Sequence, residues 1–270
     1  MRWSLAVSGA LVLPGSSAGL ADVPRQPTER WVVNFAESQC IASRNYGTAK
    51  NPLLLVLKAT PLGDMMQLAI MRQGDGGDAV QAGATLTIDE QPRLPISILA
   101  YQLKKAGLRI YRMNLRAIQF EPLSRAKSIA IWAPGLNERF ELSNMAPLLK
   151  TMAKCLTGLR AEWNIVDPLG DRSKLKQRAR ANIKDFFSNK DYPAVAIDKN
   201  QSGIVTFALL VDQTGKVADC TIIETSGAAV LDAQSCSVLE QRAKFIPAVG
   251  VDGKPANDAV IARVRWVIRR

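Results

Sequence analysis

Gly203-Ile204-Val205-Thr206-Phe207-Ala208-Leu209-Leu210-Val211-Asp212, followed by Gln213-Thr214-Gly215-Lys216, is the stretch that decides the fold of the C-terminal part. Successive side chains of an extended chain point to opposite faces, so Val205, Phe207, Leu209 and Val211 share one apolar face of a strand. Gly215 suits the positive φ of a tight turn. Residues 217–225, with Cys220, Ile222 and Ile223, supply a second strand, and together the two read as a β-hairpin. Ser226-Gly227 breaks it. A helix is then expected over about 229–244, with Leu231, Val238, Leu239 and Ala243 facing inward. Phe245-Ile246-Pro247-Ala248 ends that helix, and Asp252-Gly253-Lys254-Pro255 is a turn signal. The last strand is expected over 260–268. Val260, Ala262, Val264, Trp266 and Ile268 form its apolar face, and Ile261, Arg263, Arg265 and Val267 a partly charged one.

Upstream of this ββαβ pattern, residues 163–190 carry Pro168, Gly170, seven basic and three acidic residues, then Ile183, Phe186 and Phe187. This reads as a basic linker with a short helix that docks its aromatic end on the following domain. Residues 22–162 read as a β-rich domain closed by a helix. Residues 53–58 and 66–71 are expected to pair around Pro61-Leu62-Gly63-Asp64, and residues 85–89 and 128–132 alternate as half-buried strands. The closing helix runs from about 143 to 159. Pro147 falls in its first turn, where a missing N–H costs little, and Leu148, Met152, Cys155, Leu156 and Leu159 form its apolar stripe. The fold class is therefore α+β, in two domains: 22–162, then 191–270 after the linker.

Residues 1–21 have the layout of a secretory signal peptide: Arg2 near the start, an apolar stretch from Leu5 to Leu13, and small residues with cleavage after Ala18 or Ala21. The apolar stretch, interrupted by Pro14 and Gly15, falls short of the ~20 residues of a spanning helix. The expected location is the periplasm. The alternative is an uncleaved segment anchoring the chain in the inner membrane, facing the periplasm, the one case in which membrane contact is expected. Export into an oxidising compartment turns Cys40, Cys155, Cys220 and Cys236 into two disulfides. Four cysteines allow three connectivities. The domain boundary favours Cys40 with Cys155 and Cys220 with Cys236, each tying a helix to a sheet, with roughly 3 to 5 kcal/mol from each by loop entropy.

The chain contains no histidine. Ser-His-Asp and Cys-His catalysis and every His-containing metal site are thereby excluded, and nothing points to a carboxylate or lysine active site. No enzyme activity, cofactor or metal is expected. The glycine-rich run Gly74-Asp75-Gly76-Gly77-Asp78 lacks the alternating ligands of a calcium loop and the lysine of a phosphate loop, and reads as a turn. Net charge is +11, from 35 Lys+Arg against 24 Asp+Glu. Residues 191–270 hold nine of each sign, so that domain is neutral and the excess lies elsewhere, partly in the linker. The run Arg172, Lys174, Lys176, Arg178 and Arg180 has no interleaved aromatics, so it reads as a solvated face and no nucleic acid is expected as partner.

The order of these motifs carries a resemblance. Tyr192-Pro193, the 203–212 strand, Gly215, Ser226-Gly227, Leu231-Asp232, Phe245-x-Pro247-Ala248, Asp252-Gly253 and the closing apolar strand resemble the TonB C-terminal family over roughly residues 191–270. The resemblance implies a non-enzymatic periplasmic adaptor that binds a protein or peptide, such as a segment of an outer-membrane receptor, in TonB-dependent transport. It implies a partner-binding surface of Tyr192, Pro193, Val264, Arg265 and Trp266, the exposed sheet edge being one that an extended peptide completes. The chain lacks the long Pro-rich spacer of the energy transducers. The alternative is an envelope structural protein that forms a homodimer through the same edge. Trp266 also fits core packing, and Tyr192-Pro193 also fits a structural turn at the start of the domain.

Overall fold

A computed structural model describes residues 23–62, 65–74, 77, 79–103, 107–165 and 174–268. The expected signal segment, most of the Gly74–Asp78 run and the first part of the basic run lie outside the described residues. The chain is mixed and strand-rich with few helices, an α+β arrangement.

Nine antiparallel strands form the first sheet: β1 (Val32–Phe35), β2 (Cys40–Asn45), β3 (Leu53–Ala59), β4 (Met65–Gln73), β5 (Val80–Ile88), β6 (Leu94–Leu103), β7 (Leu108–Arg116), β8 (Ser128–Ala133) and β9 (Leu136–Glu141). Their spatial order is β1-β2-β3-β4-β7-β6-β5-β8-β9. Leu53, Leu55 and Leu57 of β3 alternate inward and pair with the similarly alternating β4, because one face of the sheet is buried and the other is not. The two ends of the sheet approach each other. Arg25 exchanges backbone hydrogen bonds with Arg139 and Glu141 beside β9, while Thr28 N–H donates to the Asn45 carbonyl of β2.

A short α1 (Ala117–Phe120) follows β7, and α2 (Met145–Glu162) follows β9. Met145, Leu148, Met152, Cys155 and Leu159 of α2 are buried against the inner face of the sheet. The disulfide Cys40–Cys155 fixes α2 to β2, with Cα atoms 6.0 Å apart.

The second core is built on another three-stranded sheet. β11 (Gly203–Val211) and β12 (Val217–Glu224) form the hairpin, α4 (Ala229–Arg242) covers one face, and β15 (Asp258–Trp266) returns antiparallel to β11. The spatial order is β12-β11-β15. Gly215 holds φ +83° in the turn, and a Cβ there would come within 2.1 Å of the Phe245 carbonyl oxygen, so only glycine fits. The disulfide Cys220–Cys236 ties β12 to α4. Before the hairpin lie β10 (Leu175–Gln177) and α3 (Ala194–Asp198). Between α4 and β15 lie β13 (Ala248–Gly250) and β14 (Pro255–Ala256), which join β10 in a small sheet.

That small sheet changes the picture of residues 174–190, expected from the sequence to be a solvated linker. Leu175, Ala179, Ile183, Phe186 and Phe187 pack on the second core. Leu175, Ala179 and Ala181, set among the charges of Lys174, Lys176, Arg178 and Arg180, leave one side of this segment free to bury, a pattern that a count of charges conceals. Its expected short helix is a 3-10 turn over Ile183–Phe186.

The two cores touch. Ala208, Leu210 and Ala259, on the face of the second sheet away from α4, belong to the buried cluster of the nine-stranded sheet. Lys58 donates to Asp219 at 2.7 Å, Gln39 to the same oxygen at 3.0 Å, and Asn114 Nδ2 to the Ile222 carbonyl at 3.1 Å.

Candidate functional site

The three-stranded sheet has two margins, and they differ. In the antiparallel ladder of β11 and β15, residues Val211, Leu209, Phe207 and Val205 stand opposite Asp258, Val260, Ala262 and Val264. Asp212 donates its N–H to Lys216 across the hairpin, so even-numbered residues of β11 face β12 and odd-numbered ones face β15. Even-numbered residues of β15 therefore bond inward, and Ala259, Ile261, Arg263 and Arg265 aim their backbone N–H and C=O groups away from the sheet. Arg178 Nη2 donates to the Ala259 carbonyl at 2.8 Å, which agrees with this phase and closes the first step of the margin. Beyond it, among the described residues, the backbone groups of Ile261, Arg263 and Arg265 have no hydrogen-bond partner.

The opposite margin, β12, is covered in part by the larger domain. Asn114 of β7 donates to the Ile222 carbonyl at 3.1 Å, and the Glu240 carboxyl of α4 lies toward the Cys220 backbone N–H. Burial pushes the Glu240 carboxyl up, and the nearby Asp219 adds to that push. The nine-stranded domain thus occupies one edge of the small sheet and leaves the other.

At the C-terminal end of the open margin lies a cleft of about 290 Å³, lined by Lys184, Phe187, Ser188, Asn189, Tyr192, Val264, Arg265, Trp266 and Val267. Trp266 forms its floor. The indole is buried, donates Nε1–H to Ser235 Oγ at 3.0 Å, and meets Phe187 and Tyr192 edge-to-face at 5.5 and 5.3 Å between centroids. Tyr192 donates its hydroxyl to the Gln201 carbonyl at 2.5 Å, which fixes the ring, and burial pushes its phenol up. Pro193 stands before α3 with φ −64°, and its carbonyl accepts from Ala196 at 2.9 Å. Asp191 holds the whole approach in place. It accepts from the Ser188 N–H and hydroxyl at 2.7 and 2.9 Å and pairs with Arg242 at the end of α4. The Arg242 guanidinium, helped by Ser188, holds the Asp191 carboxyl below the usual carboxylate range.

Four of the five residues singled out in the sequence, Tyr192, Val264, Arg265 and Trp266, therefore surround one cleft, while Pro193 lies outside its lining. Residues 188–268 match the family model of the Gram-negative bacterial TonB protein C-terminal. The match covers under a third of the chain, and searches of curated proteins and of solved structures found no match. TonB C-terminal domains are protein-interaction domains rather than enzymes. The matched span begins at Ser188, the N-cap of the Ser188–Asp191 capping box that positions Tyr192.

Lys184, Phe187, Ser188, Asn189 and Val267 were not singled out for the site. The first four come from a 3-10 turn and the residues after it, and Val267 follows β15, so no periodicity marks them as part of a cleft. The aromatic pair Phe186-Phe187 was the one available signal. Among the described residues no group of three or more His, Cys, Asp or Glu side chains could hold a metal ion, and no helix is long and apolar enough to cross a membrane.

Proposed function

We propose that this chain is a periplasmic protein-binding adaptor whose TonB C-terminal module pairs the outer margin of β15 with an extended segment of a partner. An outer-membrane receptor segment in TonB-dependent transport is the partner class that the family implies. The observation that carries the reading is the contrast between the two margins: β12 lies against the larger domain through Asn114, Lys58 and Gln39, and β15 is open at Ile261, Arg263 and Arg265. Residues 22–162 act in this reading as the support that occupies the unused margin.

The energetics set the scale. Three outward residues offer up to about six backbone hydrogen bonds to an antiparallel partner, a net ~3–9 kcal/mol at about 0.5–1.5 kcal/mol each. Ordering about five residues of a disordered segment costs ~5–10 kcal/mol. The ladder alone about breaks even, so the affinity must come from side chains, of which the cleft beside Trp266 can bury one or two.

The test uses the full-length protein with a photo-crosslinking side chain at Ile261, which is 52% exposed, and separately at Val251, which is exposed elsewhere. In envelope extract, crosslinks to a common partner are expected from Ile261 and not from Val251, and are lost in folded Tyr192→Ala and Val264→Asp variants. Partners that survive both substitutions in folded protein would show that the surface is wrongly placed.

A further inference from the structure

We propose, resting on the strand-pairing reading above, that the segment received by β15 is acidic: an extended peptide with carboxylates two residues apart and an apolar side chain between them. The motive is an unbalanced pair of charges. Arg263 and Arg265 are exposed, project from the same face of β15, and have no ion-pair or hydrogen-bond partner among the described residues. Their cross-strand neighbours on β11 are Thr206 and Ile204, which carry no charge. Glu224, opposite Thr206 on its other side, is one strand farther off and accepts the Thr206 hydroxyl at 2.8 Å. Elsewhere the chain pairs such cations: Arg178 with Asp258, Lys58 with Asp219, Arg242 with Asp191.

Strand geometry converts this into a pattern. Residues directly opposite one another across an antiparallel pair hold their Cβ atoms about 4.5–5.5 Å apart on the same face, where opposite charges attract and like charges repel. Partner residues facing Arg263 and Arg265 therefore favour carboxylates. The partner residue between them faces Val264 and turns to the other face, where Phe187, Tyr192 and Trp266 line the cleft. The same rule disfavours a second copy of this chain, because antiparallel pairing of β15 with itself centred on Arg263 would set arginine against arginine.

The probe is an acetylated and amidated nine-residue peptide with glutamate at its fourth and sixth positions and valine between them. Counterparts carry glutamine or lysine at the same two places. Binding to the full-length protein is read by fluorescence anisotropy, and the contact is mapped by amide chemical shifts. The glutamate peptide is expected to bind at least about tenfold more tightly than the lysine peptide, with contacts over residues 261–265. The Arg263→Glu, Arg265→Glu double variant is expected to reverse that order. Equal binding of all three peptides at residues 261–265 would overturn the acidic preference while leaving strand pairing intact, as would a glutamate preference unchanged in the double variant. Failure of every peptide to bind, or a wild-type dimer formed through β15 without peptide, would overturn both.

Discussion

Two adjacent proline substitutions in β15 should have unequal consequences. Ala262 faces Phe207 in the ladder, and Phe207 is fully buried. Ala262→Pro removes an inward N–H, so it loses one ladder bond and strands a buried acceptor on β11. The lost bond costs about 1 kcal/mol and the unsatisfied carbonyl about 1–3 kcal/mol, together about 3 kcal/mol. For a chain of this size that corresponds to a fall in Tm of roughly 6–12 °C. Arg263→Pro removes an N–H that points away from the sheet, and proline is tolerated on edge strands in that orientation. Its cost is the narrowing of φ, about 1 kcal/mol or less, or roughly 2–4 °C. The assay is thermal unfolding of both full-length variants followed by circular dichroism. Equal falls in Tm, or a larger fall for Arg263→Pro, would mean that the hydrogen-bond phase assigned to β15 is inverted or that its outer margin is paired.

The remaining predictions concern the scaffold. Replacing Cys40 and Cys155 together by serine opens a loop of sequence separation 115, against 16 for Cys220 and Cys236. Loop entropy then predicts losses of about 5 and about 3 kcal/mol in chemical unfolding, and a greater loss for the shorter loop would contradict it. Asp191 has its carboxyl held down by Arg242 in the folded protein, so the stability it contributes is present above its unfolded value, 3.8, and is lost as pH falls through the folded one. Asp191→Asn should flatten that acid-side loss in a Tm-versus-pH series, and an unchanged slope would show that the pair with Arg242 does not govern it.

Much of the scaffold could be read from alternation. Strands β3, β11 and β15 each carry a run of apolar residues on one face, while α2 has apolar residues at helical spacing. Strands β6, β7 and β9 escaped for physical reasons. Pro95 interrupts β6, which is half exposed, and β7 carries Arg109, Arg112 and Arg116 among its apolar residues. In β9 the position between Leu136 and Phe140 on the inward face is Glu138, whose buried carboxylate pairs with Arg25 and Arg72. A charge satisfied by distant partners looks, in sequence, like a break in the pattern.

The site was legible in part. Tyr192, Val264, Arg265 and Trp266 are marked in the sequence by the resemblance to the TonB C-terminal family, not by strand phase. The lining from Lys184, Phe187 and Ser188 depends on the docking of a 3-10 turn across Trp266, which local spacing does not encode. The capping of β12 by Asn114 likewise joins residues 108 positions apart. The contrast between the two margins is thus a property of the assembled chain, since the same small sheet without its larger neighbour would present β12 uncovered.

Native-state hydrogen exchange of the β15 amides in the full-length protein examines that open margin most directly. The amides of Ile261, Arg263 and Arg265 should exchange fast, near the rates of an exposed strand, while those of Val260, Ala262 and Val264 should be strongly protected by β11. Protection of the odd-numbered amides equal to that of the even-numbered ones would show that the margin is already occupied, and the proposed docking edge would not exist.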